Sequence, residues 1–176
     1  MRALVVFESM FGNTRDVAQG VADGLGTGAE VDLMEVGTAP EQLDPGVGLL
    51  VVGGPTQAFG MSRPGTRADA EKGTVEPVVS AGIGVREWLE RLRTAPTGIA
   101  AAAFDTRIGS PRVPGSAARG AHRRLRSLGF LMVAPAESFF VKGKTGPLEP
   151  GEIERARSWG EELGRLMAAQ VPTPSA

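Results

Sequence analysis

The sequence predicts an α/β protein in which one doubly wound sheet of five parallel strands is covered by helices on both faces. Short apolar segments rich in β-branched residues alternate along the chain with segments whose apolar residues recur at helical spacing. The length of 176 residues and the hydrophobic content of 41% suit one compact domain. We expect this domain to span residues 1–171, with a frayed tail at 172–176.

The first strand and helix give the clearest pattern. Leu4-Val5-Val6-Phe7 is an apolar run followed directly by a loop signal, which is typical of a buried strand of a parallel sheet. From Thr14 the period changes to that of an amphipathic helix, which Gly26 and Gly28 end. The apolar positions of this helix are Val17, Ala18, Val21, Ala22 and Leu25.

The remaining elements follow in alternation. Strands are predicted at 30–36, 47–52, 99–104 and, in two parts, at 130–134 and 138–141, because Pro135 cannot donate to a central ladder. Helices are predicted at 85–92, 116–128 and 153–167. The weakly periodic stretch from Pro55 to Gly84 is interpreted as an active-site loop that runs into irregular structure or a short helix.

The composition excludes several classes of function. The chain has no cysteine and one histidine, so disulfides, thiolate catalysis, cysteine-ligated metal centres and sites of several histidines are excluded. Nineteen basic and twenty acidic residues nearly cancel, which argues against nucleic acid as a partner. No apolar run is long enough for membrane insertion and no signal-peptide pattern is present, so we expect a soluble cytoplasmic protein. Redox chemistry would require a borrowed cofactor.

The strongest motif is the loop Ser9-Met10-Phe11-Gly12-Asn13-Thr14, between the first strand and the first helix. Its hydroxyl, amide and backbone N–H groups converge at a helix start, where the helix dipole favours an anion. The sequence has neither a Walker lysine nor a Gly-x-Gly-x-x-Gly pattern here, so the loop indicates a single phosphate and not a triphosphate or a dinucleotide. The alternative is an ordinary turn in which Asn13 or Thr14 caps the helix.

Together with Glu8, this loop resembles the phosphate loop of flavodoxins and related FMN proteins. The turns Val51-Val52-Gly53-Gly54-Pro55-Thr56 and Ala101-Ala102-Ala103-Phe104-Asp105-Thr106 fall where that family has its two flavin-ring loops, so the resemblance covers almost the whole chain. It implies strand order 2-1-3-4-5 and bound FMN. The residues implied to contact the cofactor are Ser9, Met10, Phe11, Gly12, Asn13, Thr14, Pro55, Thr56, Gln57, Phe59, Asp105, Thr106 and Arg107.

The aromatic residues depart from the family pattern. The chain has no tyrosine, whereas flavodoxins commonly stack one on the flavin. Trp88 and Trp159 lie on predicted helices and are interpreted as core residues. Phe59 is then the remaining candidate for stacking on the flavin, and its alternative role is that of a hydrophobic plug under a mobile loop.

The charges near the predicted flavin loops depart as well. Four arginines lie in or near these loops, and they are either solvated surface residues or a binding site for an anionic substrate or partner. They are Arg63, Arg67, Arg107 and Arg112. A hydrolase triad of Ser110, His122 and Asp105 is disfavoured because no Gly-x-Ser-x-Gly elbow frames the serine. The basic stretch 142–146 lacks P-loop spacing and is interpreted as a solvent-facing loop.

Three functions remain open at this point. The first is a flavoprotein that transfers electrons between redox partners, with FMN as the reacting group. The second is an FMN-dependent oxidoreductase that takes hydride from NAD(P)H and reduces a quinone-like acceptor. The third is a binding module that keeps the fold and has lost flavin, which the missing aromatic residues favour. The sequence does not decide whether the protein is an enzyme or a carrier.

Overall fold

The chain forms an α/β structure with seven strands and five helices within the residues described. The computed structural model describes residues 1–93, 98–109 and 114–170. The strands are β1 (Arg2–Phe7), β2 (Glu30–Glu35), β3 (Val47–Gln57), β4 (Gly60–Met61), β5 (Ala100–Ile108), β6 (Leu131–Met132) and β7 (Glu137–Val141). The helices are α1 (Asn13–Leu25), α2 (Pro64–Lys72), α3 (Val85–Arg91), α4 (Ala117–Ser127) and α5 (Glu152–Gln170).

The sheet confirms the predicted strand order. Its hydrogen-bonded order is β2-β1-β3-β5-β6, with all of these neighbours parallel. The predicted fifth strand is interrupted around Pro135 as expected, because β6 pairs with the start of β5 and β7 pairs with its end. With the hairpin strand β4 left out of the numbering and β6 and β7 counted as one interrupted strand, the order is 2-1-3-4-5.

Two apolar cores cover the two faces of the sheet. Val5 and its same-face neighbours pack under α1 and α5, where Trp159 is buried. Leu4 and Val6 face the opposite core under α3 and α4, where Trp88 is buried. The alternation along β1 follows from the two-residue period of a strand. Both tryptophans are therefore core residues, as the sequence indicated.

The stretch from Pro55 to Gly84 is more ordered than a loop. Strand β3 continues to Gln57 and turns back into β4 as a short antiparallel hairpin, and α2 follows. The turn residues Ala58 and Phe59 have φ values of 43° and 71°. Such left-handed positions are usually taken by Gly or Asn, so the sequence carried no turn signal here.

Two predicted features fall on residues that the structure does not describe. The tail at 172–176 lies outside the described residues, as do Ser110 and Arg112. Among the residues that are described, no helix is long and apolar enough to span a membrane.

Candidate cofactor-binding site

A cavity of about 300 Å³ lies beyond the carboxyl ends of β1, β3 and β5. Ligands of doubly wound sheets bind at this edge, where the loops of neighbouring strands diverge. The loop at 9–14, the end of β3, helix α2 and the end of β5 form its walls, and the loop after β7 closes one side. Its lining comprises Ser9, Met10, Phe11, Asn13, Thr14, Pro55, Thr56, Gln57, Ala58, Thr66, Asp69, Ala70, Thr106, Arg107, Ile108, Val141 and Lys144.

The structure thus brings most of the predicted cofactor residues to one cavity. Of the set named from the sequence, all line it except Gly12, Phe59 and Asp105. Gly12 shapes the loop, while Phe59 and Asp105 have other surroundings.

The loop at 9–14 presents hydrogen-bond donors at the start of α1. Gly12 has φ +94°, a left-handed conformation that favours glycine, and it is the N-terminal cap residue of the helix. Its N–H donates to Ser9 Oγ at 3.1 Å, which leaves the serine O–H proton available to another acceptor. The first-turn N–H groups that follow have no acceptor inside the helix, and no side-chain cap satisfies them within the described residues. This arrangement suits an anion.

Two side chains connect this loop to other walls of the cavity. Thr14 and Thr106, both buried, form a hydroxyl–hydroxyl hydrogen bond of 2.7 Å across the carboxyl ends of the sheet. Asn13 Nδ2 donates to the Thr145 carbonyl oxygen at 3.0 Å, which ties the loop after β7 to the start of α1. That contact holds Lys144 at the cavity, so the basic stretch 142–146 contributes a cation to the site.

A segment distant in sequence fixes the loop backbone. Ser80 Oγ accepts a hydrogen bond from the Ser9 N–H at 3.0 Å, and the Ser80 N–H donates to the Ser9 carbonyl at 2.8 Å. The Val79 N–H donates to the Met10 carbonyl at 3.0 Å. These hydrogen bonds hold the loop backbone from within the protein, which lowers the ordering cost of binding.

Asp105 organises the site from outside the cavity. Its fully buried carboxylate accepts hydrogen bonds at Oδ2 from Thr56 Oγ1 at 2.9 Å, Ser116 Oγ at 2.6 Å and the Ala118 N–H at 3.0 Å. Thr56 Oγ1 in turn accepts from the Ala117 N–H at 2.8 Å. Asp105 thereby joins the ends of β3 and β5 to the start of α4, and the described contacts give it a positioning role.

Phe59 lies at the exposed tip of the β3–β4 hairpin. Its side chain is 63% exposed and lines a recess of about 270 Å³ together with Thr56, Ala58, Arg107 and Ile108. All four of these neighbours also line the main cavity. Phe59 is therefore beside the cavity and not inside it, and its stacking on a flavin stays a prediction.

A network of buried and partly buried polar side chains joins the end of β1 to α2 and the start of α3. Glu8 is 1% exposed, receives a short hydrogen bond from the Ser62 hydroxyl, and accepts from the Val85 N–H at 2.8 Å. Arg67 donates to Ser62 Oγ at 2.9 Å and to both carboxylate oxygens of Glu87 at 3.1 Å. Burial raises the pKa of the Glu8 carboxyl above its usual range, although the hydrogen bonds and the Arg67 charge oppose this effect.

The predicted arginines separate into different environments. Arg107 lines the cavity, Arg67 is paired with Glu87, and Arg63 lines a neighbouring recess. Sequence reasoning did not find Thr66, Asp69 and Ala70 of α2. No sequence signal for them was available, because α2 reaches the cavity through the hairpin geometry alone.

Two buried oxygens in this region have no hydrogen-bond partner among the residues that the structure describes. They are Gln57 Oε1 and the second carboxylate oxygen of Asp105, Oδ1. Leaving a buried polar atom unpaired is costly, so both oxygens are candidates to bind a polar group of a ligand or a water molecule. Within the described residues, no group of three or more His, Asp or Glu side chains is placed to hold a metal ion.

Comparison with solved structures agrees with the resemblance seen in the sequence. No protein-family model and no curated protein matches the chain. Flavodoxin 1 from Bacillus cereus is similar at 16% identity and TM-score 0.66, over 98% of this chain and 100% of that one. A flavodoxin from Streptococcus pneumoniae is similar at 21% identity and TM-score 0.63, over 97% of this chain and 100% of that one.

A larger protein contains the same architecture as one part. The Flv1 flavodiiron core from Synechocystis matches 97% of this chain over 37% of its own length, at 15% identity and TM-score 0.65. With the sheet order above, these likenesses show that this chain has the flavodoxin-like fold.

Proposed function

We propose that this chain binds FMN in the cavity at the carboxyl ends of β1, β3 and β5, with the phosphate on the loop at 9–14, and transfers electrons between redox partners. FMN would supply the group that accepts and returns electrons. The protein would supply binding, orientation and the electrostatic surroundings of the ring.

The observation that carries this proposal is the donor set at the start of α1. Ser9, whose hydroxyl proton is free, and Lys144 both line the cavity, and the left-handed Gly12 shapes the loop from which the uncapped first-turn N–H groups begin. A phosphate carrying two negative charges matches these groups, since they include no acceptor that must be buried against it. The residues present therefore fit the phosphate of FMN.

The rest of the cavity fits a planar ring system that is partly apolar. Pro55, Ala58, Ala70 and Ile108 provide nonpolar walls, and the unpartnered Gln57 Oε1 belongs to a lining residue. Together with Lys144, Arg107 and Asp69 place two positive side chains and one negative side chain at the same cavity. Arg107 is half-buried whereas Asp69 and Lys144 are exposed, so the Arg107 charge would act most strongly on the reduction potential of the bound cofactor.

A second candidate function is an FMN-dependent oxidoreductase that uses NAD(P)H and a quinone-like acceptor. The observation that favours it is the wall formed by α2, since Thr66, Asp69 and Ala70 belong to the segment 55–84, which the sequence indicated as an active-site loop. In this candidate, the same cavity would accept a small substrate beside the cofactor.

An anaerobic absorption experiment on the purified protein distinguishes these proposals. FMN is added, free flavin is removed, and NADPH or NADH is titrated under exclusion of oxygen. A retained flavin spectrum that neither nucleotide bleaches, but that dithionite bleaches, is expected for the electron carrier. Rapid bleaching by a nucleotide would favour the oxidoreductase, and a protein without a flavin spectrum would contradict both.

A further inference from the structure

A second recess, of about 530 Å³, lies on the other side of the β3–β4 hairpin. It is bounded by the hairpin, the start of α2, helix α3 and the first turns of α4. Three residues, Gln57, Ala58 and Thr66, line both this recess and the cofactor cavity. The two spaces are therefore separated by little more than the hairpin and its neighbouring helix.

Among the described residues, four arginines line this recess and no carboxylate does. Arg63 precedes α2, Arg86 belongs to α3, and Arg119 and Arg123 belong to α4. Arg63, Arg119 and Arg123 are exposed, and no carboxylate of the described residues forms an ion pair with them. In a chain of net charge −1, this is a concentrated and uncompensated positive site.

The local structure makes this concentration of charge unfavourable without an anion. Arg119 and Arg123 are four residues apart on α4, so they lie on one face of the helix and repel each other. Arg119 is also near the N-terminus of α4, where the helix dipole opposes a cation. The Arg86 side chain is fixed, because it donates to the Ser62 carbonyl at 3.2 Å and the Met61 carbonyl at 3.0 Å. An anion in the recess would relieve the repulsion.

We infer that this recess is a binding site for a small molecule with two or more neighbouring anionic groups, phosphates or carboxylates. Guanidinium groups bind both kinds of anion through paired hydrogen bonds, and the volume is that of a small-molecule site. The ligand would lie against the wall of the cofactor cavity. The binding itself does not depend on FMN.

Calorimetric titration with pyrophosphate and with citrate, at about 20 mM ionic strength to limit screening, tests the inference. Because the loop at 9–14 also suits phosphate, the titrations use the Thr14→Val protein as well as the wild type. We expect saturable binding of at least one anion in both proteins. The anion that binds more tightly identifies the ligand as a phosphate or a carboxylate compound.

The variants Arg119→Gln/Arg123→Gln and Arg63→Gln then locate the binding. The double variant should weaken binding at least about tenfold, and Arg63→Gln, on a different element, at least about threefold. Arg126→Gln is the matched control, since it removes the same charge from the same helix outside this recess, and it should weaken binding less than the double variant does.

Three results would overturn the inference. The first is that the wild type shows no saturable binding of either anion. The second is that Arg126→Gln and the double variant lose equal affinity. The third is that Thr14→Val abolishes binding while the double variant still binds. Binding of a poly-glutamate peptide with no binding of either small anion would also overturn it and would indicate a protein-docking surface. These titrations contain no FMN, so their results can be interpreted even if the chain does not bind FMN. The two proposals can therefore be refuted independently.

Discussion

Replacing Gly24 by alanine tests how closely α1 packs on α5. Alanine normally stabilises a helix interior by about 1 kcal/mol relative to glycine. At Gly24, however, a Cβ would lie 2.0 Å from the Arg157 carbonyl oxygen and 2.9 Å from the Glu161 N–H nitrogen, both of them backbone atoms of α5. Gly160 has the reciprocal relation, with a Cβ 2.2 Å from the Val21 carbonyl oxygen. The two helices therefore touch through their backbones.

The cost follows from this geometry. Ordinary van der Waals contact begins at 3.4 Å, so the helices would have to separate by about 1.4 Å at Gly24. Overpacking of this kind costs about 1–3 kcal/mol or more, which exceeds the helix-propensity gain. We expect Gly24→Ala to lower the free energy of unfolding by about 1–2 kcal/mol. Because α1 begins at the loop at 9–14, its packing on α5 also sets the position of that loop.

Urea denaturation followed by circular dichroism measures the effect, and the chain supplies its own control. Gly164 lies in α5 as well, but no atom from another part of the described chain lies within 4 Å of its Cβ position. Gly164→Ala should therefore raise the unfolding free energy by about 0.5–1 kcal/mol. If Gly24→Ala is as stable as Gly164→Ala at an unchanged m-value, the reasoning about the helix contact is refuted.

Three further predictions concern the site. The raised pKa means that Glu8 keeps its proton to a higher pH in the folded state than in the unfolded chain, so the wild type should lose stability as pH rises above the ordinary carboxyl pKa of 4.5. Glu8→Gln should remove this loss, and parallel pH–stability curves for the two proteins would contradict the prediction. Phe59→Ala should weaken FMN binding about 2- to 12-fold if the ring stacks, and unchanged affinity and fluorescence quenching would leave Phe59 a surface plug. Arg107→Gln should lower the potential of the one-electron step that completes the reduction of FMN, measured at low salt, by about 43 mV for each kcal/mol of interaction lost. Arg63→Gln, in the other recess, should change this potential less. Equal potentials in the wild type and Arg107→Gln would refute the argument that the Arg107 charge acts on the flavin.

The sequence predicted the parts of the fold whose cause is local. The change from an apolar strand to a helical period around the loop at 9–14 identified β1, α1 and the donor set between them. The interruption of the last strand followed from the backbone chemistry of Pro135. Both signals lie within a few residues of the structure that they specify.

The parts that the sequence did not reveal depend on contacts between distant segments. Ser80 holds the loop at 9–14 from 71 residues away, and Lys144 reaches the cavity because Asn13 binds the neighbouring carbonyl 132 positions along the chain. The turn of the hairpin is formed by Ala58 and Phe59, and neither is a glycine or asparagine, the residues from which such a turn is usually predicted. The positioning role of Asp105 depends on Ser116 and Ala118, which reach it only when α4 packs on the sheet.

The affinity of FMN, compared with that of riboflavin, tests the central claim most directly. Fluorescence titrations are made on the wild type, on Thr14→Val, and on Thr38→Val as a control in which an exposed threonine outside the cavity is changed. FMN should bind the wild type and Thr38→Val equally and much more tightly than riboflavin does. Thr14→Val should bind FMN about 10- to 150-fold more weakly than the wild type, because it lacks a hydrogen bond to a charged group worth about 1.5–3 kcal/mol. Its affinity for riboflavin should change little. Equal affinities for FMN and riboflavin, or an unchanged FMN affinity in Thr14→Val, would contradict a phosphate site at the loop at 9–14.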